Sequence, residues 1–184
     1  QYFGNTLMSD LAQPPAPPSA STGIVSSSHL VSPRSVEASE FEFGMIVAWN
    51  AFSRWMVRCM AAAGVPDLTV TDVLVLHHVN HRARHQKLAD ICFVLNYEDT
   101  HVVAYALKKL VAAGLLCTDK QGKDVFYLPT EAGEAAVRRY REVREACLVD
   151  NIDPQSNPEL GELARLLRTM SGLYDQAARA ATSL

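Results

Sequence analysis

The sequence has no excess of positive charge. Across 184 residues, 17 Lys and Arg stand against 20 Asp and Glu, for a formal charge of −3. Nucleic-acid binders usually carry a basic excess, so the total points away from such a partner and the placement of the cations has to decide. Long apolar runs are missing too. The richest one is broken by Asn50, Ser53 and Arg54, which excludes a helical membrane span. No basic segment followed by an apolar stretch reads as a signal peptide. The expectation is a cytoplasmic protein with no membrane partner.

Cysteine is scarce: Cys59, Cys92, Cys117 and Cys147, with no CxxC pair. A disulfide scaffold and a Cys-rich zinc site are excluded, and four reduced, buried thiols are expected. Cys117, with Lys120 three positions on, is the thiol singled out for a nearby cation. Catalytic signatures are also lacking. There is no GxGxxG, P-loop, GxSxG or HExxH, and Asp67 and Asp72 make no acid–base pair. No enzyme is expected.

What is present is a core. Hydrophobic residues make up 48%, enough for a chain of this length to fold without metals or disulfides. Residues 1–36 differ from the rest. Pro14, Pro15, Pro17 and Pro18 followed by Ser19, Ser21, Ser26, Ser27 and Ser28 read as an arm. From Glu37 to Ala63, Met45, Ala48, Trp49, Phe52, Trp55, Met56, Cys59 and Met60 recur at helical spacing, and Gly64 and Pro66 end the run.

Further helices are predicted at Thr69–His81, Lys87–Leu95 and Thr100–Ala113, the last capped by Asp99 and stopped by Gly114. The period then changes. Leu115–Thr118 and Val125–Leu128 read as strands around a polar turn, Asp119–Asp124. A helix from Thr130 to about Val149 follows. Asn157-Pro158-Glu159 opens the last one. On it Leu160, Leu163, Leu167, Met170, Tyr174 and Ala177 form a heptad seam along a helix of some 26 residues, roughly 39 Å long.

The fold class is therefore mainly α. Three helices and a two-stranded hairpin make a winged helix-turn-helix, flanked by further helices. The helix at 100–113 would read DNA and the hairpin would be its wing. At 100° per residue Val103, Ala106, Leu107 and Leu110 face the core, while Thr100, His101, Ala104, Tyr105 and Lys108 face outward to bases. Arg82, Arg84, Lys87, Lys109, Lys120 and Lys123 are placed for phosphate or the groove edge. Between Val65 and Gly133, however, 7 basic residues meet 8 acidic ones, so modest affinity per domain and a need for dimerisation are expected.

The stretches Leu68-Thr69-Val70-Thr71-Asp72-Val73-Leu74-Val75-Leu76, Lys87-Leu88-Ala89-Asp90, Ala106 to Leu115 and Leu128-Pro129-Thr130-Glu131-Ala132-Gly133, in that order and spacing, resemble the MarR family of bacterial transcription regulators. The resemblance implies a homodimer on a pseudo-palindromic double-stranded DNA operator, regulated by a small molecule. It implies an N-terminal dimerisation helix at 37–64, a winged domain at 65–133 and C-terminal dimerisation helices at 134–184. Two departures stand out. The family's Asp-x-Arg wing motif is replaced by Gln121-Gly122-Lys123-Asp124, and the span from Leu88 to the reading helix is about one turn longer.

An aromatic surplus on the first helix marks Trp49, Phe52 and Trp55 as an effector pocket. No cofactor or metal is expected. His77, His81 and His85 have the i,i+4 spacing a zinc site would use, but no Cys lies near. Two alternatives stay open: a winged-helix interaction module without specific DNA binding, and a metal-sensing regulator.

Overall fold

The computed structural model describes residues 31–81 and 85–184. Most of the Pro/Ser-rich arm therefore lies outside the described residues. The chain divides into two units, 1–49 and 50–184. In the first, Ser32 and Ser35 form an isolated bridge, with Ser35 N donating to Ser32 O at 3.1 Å. Helix α1 (Val36–Ala62) begins there, and its Phe43, Ile46, Val47 and Trp49 are exposed.

The second unit holds the rest of α1, then α2 (Val70–His81), α3 (Leu88–Leu95), α4 (Thr100–Ala112), β1 (Leu116–Gln121), β2 (Asp124–Pro129), α5 (Glu131–Cys147) and α6 (Asn157–Ala181). Two 3-10 turns, Val149–Asn151 and Pro154–Ser156, link the last two helices. Among the described residues no helix is long and apolar enough to cross a membrane.

Local chemistry sets the boundaries. Helix α2 opens on a reciprocal cap. Thr69 N donates to Asp72 Oδ2 at 2.8 Å, and Asp72 N donates to Thr69 Oγ1 at 3.3 Å. Helix α3 ends at Asn96, which takes the left-handed conformation at φ 56°. Asp99 caps α4 by accepting from His101 N at 2.9 Å. Gly114 (φ +72°) closes it, as expected, and Leu115 N reaches back to Leu110 O at 3.0 Å.

Helix α4 sits against the core as the periodicity predicts: Val103, Ala106, Leu107 and Leu110 are all buried. Burying each of the three larger ones is worth about 1.5–3 kcal/mol. Their partners are Met56, Cys59 and Met60 from α1, Val73, Val75, Leu76 and Val79 from α2, Ile91 and Cys92 from α3, and Ala136 and Tyr140 from α5.

The base of the hairpin is closed by a compact knot. Thr130 N donates to Leu115 O at 3.2 Å, Thr130 Oγ1 donates to Gly114 O at 2.7 Å, and Gly133 N donates to Thr130 Oγ1 at 3.1 Å. A Cβ at position 133 would collide with the Leu115 carbonyl. Arg139 Nε then donates to Ala63 O at 2.6 Å and ties α5 to the end of α1. Helix α6 has no buried residue among those described. Its Leu160, Leu163, Leu166, Leu167, Leu173 and Tyr174 stand exposed.

Candidate nucleic-acid interface

The outer face of α4 carries Thr100, His101, Val102, Tyr105 and Lys108, all exposed, with Ala104 half-buried among them. Tyr105 is 71% exposed and Val102 41%, a large share for apolar groups on a helix whose inner face is sealed. Val102 is the member of this face that the projection left out. Thr71 Oγ1 and Tyr97 Oη, 3.1 Å apart, brace the turn ahead of α4 against α2.

Lys109 does not join the outward face. Its Nζ lies 2.7 Å from Asp72 Oδ2 and donates to Asp67 O at 2.7 Å. The step of 100° from Lys108 carries it to the edge of the core, where the buried Asp72 carboxylate claims it.

The wing is longer and its turn tighter than the sequence suggests. The strands pair in antiparallel register from Leu116↔Pro129 to Gln121↔Asp124, so the loop is only Gly122-Lys123. Gly122 at φ +62° makes the short loop possible. The polar run from Asp119 to Asp124 is thus mostly strand. A third short rung comes from Gln86, whose N and O bond Tyr127 O and N at 3.3 and 2.9 Å.

Two further pairs fasten the residues ahead of α3 to the wing. His85 Nε2 is 3.1 Å from Asp119 Oδ2, with its ring edge-on to Phe126. Lys87 Nζ is 2.6 Å from Asp124 Oδ2 and 5.2 Å from the centre of the Phe126 ring. Lys87 is therefore held by the wing instead of standing alone. Lys108, Lys120 and Lys123 are exposed and make no ion pair among the described residues. Arg82 and Arg84 lie outside the described residues. A groove of about 430 Å³ runs between α4 and the wing, lined by Ala104, Tyr105, Lys108, Val111, Thr118 and Tyr127.

A family model described as "Winged helix DNA-binding domain" matches residues 68–133. Over those residues the chain is similar to winged helix DNA-binding domains. Solved structures add the wider fold. AbfR of Staphylococcus epidermidis is similar over 77% of this chain and 96% of its own, at 16% identity and a TM-score of 0.63. A MarR transcriptional regulator from Methanosarcina mazei Go1 is similar over 72% and 97%, at 14% identity and 0.57. CouR from Rhodococcus jostii RHA1, solved with p-coumaroyl-CoA, is similar over 72% and 92%, at 12% identity and 0.56. Among the described residues the fold is that of MarR regulators, six helices with a two-stranded wing. No curated protein sequence matches the chain.

Beside the winged helix domain, a cavity of about 510 Å³ lies between α1, α2 and α5. Phe52 and Trp55 line it with Met56, Leu74, His77, Val137, Tyr140, Arg141, Arg144 and Leu148. Trp49 is about half exposed on α1. The His77 ring stands edge-on to Tyr140 at 4.4 Å, and its Nε2 is buried with no hydrogen-bond partner among the described residues. Burial pushes His77 below the usual imidazole range. Burial, then the neighbouring Cys59, push the Tyr140 phenol up to about 12.

Among the described residues no three of His, Cys, Asp and Glu gather as metal ligands. His77 faces Tyr140, His85 faces Asp119, and His81 is exposed at the end of α2. The cysteines divide. Cys59 and Cys92 are buried, but Cys117 and Cys147 are exposed, which corrects the expectation of four buried thiols. Cys117 lies on the outward side of β1, and Cys147 is the last residue of α5.

Proposed function

We propose that the chain is a sequence-specific, double-stranded-DNA-binding transcription regulator that acts as a homodimer and responds to a small-molecule effector. The observation that carries this reading is the two-sided build of α4. Its inner face is buried completely, and its outer face stands open beside a wing tip bearing Lys120 and Lys123. Thr100, His101, Ala104, Tyr105 and Lys108 would face bases. Arg82, Arg84, Lys87, Lys120 and Lys123 would meet phosphate, with Lys87 exchanging its carboxylate for a phosphate on binding. Lys109 leaves the set, because Asp72 holds it.

Dimerisation is supported by the leucine stripe of α6 and by the exposed apolar residues of α1. Each is more apolar side chain than a monomer usually leaves uncovered on one helix. Effector binding is supported by the cavity at Phe52 and Trp55, with its apolar walls, its unpartnered imidazole nitrogen and two guanidinium groups. The ligand held by CouR lends the general class, a small organic molecule.

The second reading, an interaction module without specific DNA binding, is favoured by one observation. Two acidic residues of the wing engage the basic residues His85 and Lys87. Binding of the full chain to its own promoter region, measured across salt concentrations, separates the two. A specific complex whose log affinity falls linearly with log salt supports the regulator. Weak, sequence-indifferent binding that salt does not change overturns it.

A further inference from the structure

Resting on the DNA-binding reading above, the side chains of α4 say which bases it takes. The helix, Thr100–Ala112, contains no Arg, Asn, Gln, Asp or Glu. Those are the side chains that grip guanine or adenine bidentately or accept from cytosine in the major groove. Lys108 is the only charged group on the outer face, and it suits a guanine edge. Two apolar groups dominate the rest of that face, Val102 and the ring of Tyr105.

Thr69, Thr71, His101, Val102 and Tyr105 border a groove of about 370 Å³ between the starts of α2 and α4. Two of its polar side chains, Asp72 and Thr71, are already engaged, and the His101 imidazole is the ring it keeps for a polar contact. Asp72 holds Lys109 and Thr69 N, and Thr71 holds Tyr97. Beside His101, the part of this surface made by Val102 and the Tyr105 ring is apolar, and the base that presents an apolar group in the major groove is thymine, through its C5-methyl.

We propose that Val102 and Tyr105 are specificity-determining residues that read thymine methyl groups, with Lys108 reading a guanine beside them. Val102, Tyr105 and Lys108 follow one another at i, i+3 and i+6. Each step advances about 4.5 Å along the helix axis, close to the 3.4 Å per base pair of one DNA strand. The three contacts fall on neighbouring base pairs, and each half-site carries two adjacent thymines next to a guanine.

The test uses the full chain. Selection from a randomised duplex library gives the preferred half-site. Each thymine in it is then replaced by deoxyuridine, which removes the methyl group alone. Uridine at two neighbouring positions is expected to weaken binding about fourfold each, the worth of one buried methyl. The penalty at one position should vanish in Val102→Ala and at the other in Tyr105→Ala. Both side chains are exposed, so wild-type melting temperatures are expected; if a variant fails to fold, the uridine result on the wild type still decides. A half-site without adjacent thymines, or uridine bound as tightly as thymine, overturns the inference while a specific, salt-dependent complex leaves DNA binding standing. No enriched site together with salt-independent binding overturns the DNA-binding reading and the inference with it.

Discussion

Asp72 Oδ2 and Lys109 Nζ lie 2.7 Å apart, joining the first turn of α2 to the last turn of α4. The carboxylate is buried, and its remaining partner is the backbone N–H of Thr69. The pair fixes the end of the reading helix against the helix that starts the domain.

Lys109→Met is expected to destabilise the domain by about 3 kcal/mol, because a buried carboxylate loses its counter-charge. A double-mutant cycle with Asp72→Asn, read by urea unfolding, should give a coupling above roughly 1 kcal/mol. The salt slope of DNA binding should not change in any variant that remains folded. A slope shallower by about one unit would instead mean that Lys109 meets a phosphate.

Lys87 and Asp124 give the opposite expectation. Asp124→Asn removes the carboxylate that holds Lys87. The released ammonium is then available to the phosphate backbone without a competing anion. Affinity at low salt should rise. The log–log salt slope, measured by fluorescence anisotropy, should stay as in the wild type, because Lys87 meets a phosphate in both complexes.

Gly133→Ala drives a methyl group into the Leu115 carbonyl. The obstacle is backbone at the base of the wing, which has little freedom to yield. A loss of about 2–3 kcal/mol in urea unfolding is expected, the upper range for overpacking.

The pH dependence follows from His77. Its folded-state pKa is depressed by burial, so below the ordinary imidazole value the unfolded chain binds the extra proton. Stability should therefore fall as the pH drops through about 6.5. His77→Leu should show a flatter stability profile between pH 7.5 and 5.5, measured by thermal or urea unfolding. An unchanged profile would place the titrating group elsewhere.

Thiol labelling under native conditions should separate the cysteines. Cys117 and Cys147 are exposed and should react with a disulfide reagent promptly. Cys59 and Cys92 are buried, and burial also pushes both thiols up. They should react only on unfolding.

Much of this molecule was legible in its sequence where a short-range rule applied. The inner face of α4 followed from the spacing of Val103, Ala106, Leu107 and Leu110, and its ends from Asp99 and Gly114. The wing was harder. Toward its tip the hairpin is exposed and polar, so Asp119–Asp124 looked like loop although only Gly122 and Lys123 turn. The single rung at Gln86 depends on where Tyr127 arrives, 41 positions later, and no local pattern encodes it. Lys109 and Lys108 are neighbours in sequence and serve different surfaces. The rotation that separates them is local, but the identity of the buried partner is not.

The knot of Thr130, Gly114 and Leu115 has one more consequence. It clasps both ends of the hairpin at a single point, independently of what lies between them. Residues can therefore be inserted at Gly122-Lys123 without displacing α4 or α5. The tip becomes the place where reach along a duplex is set by length, and a grafted longer hairpin would extend the footprint while leaving the helical core as it is.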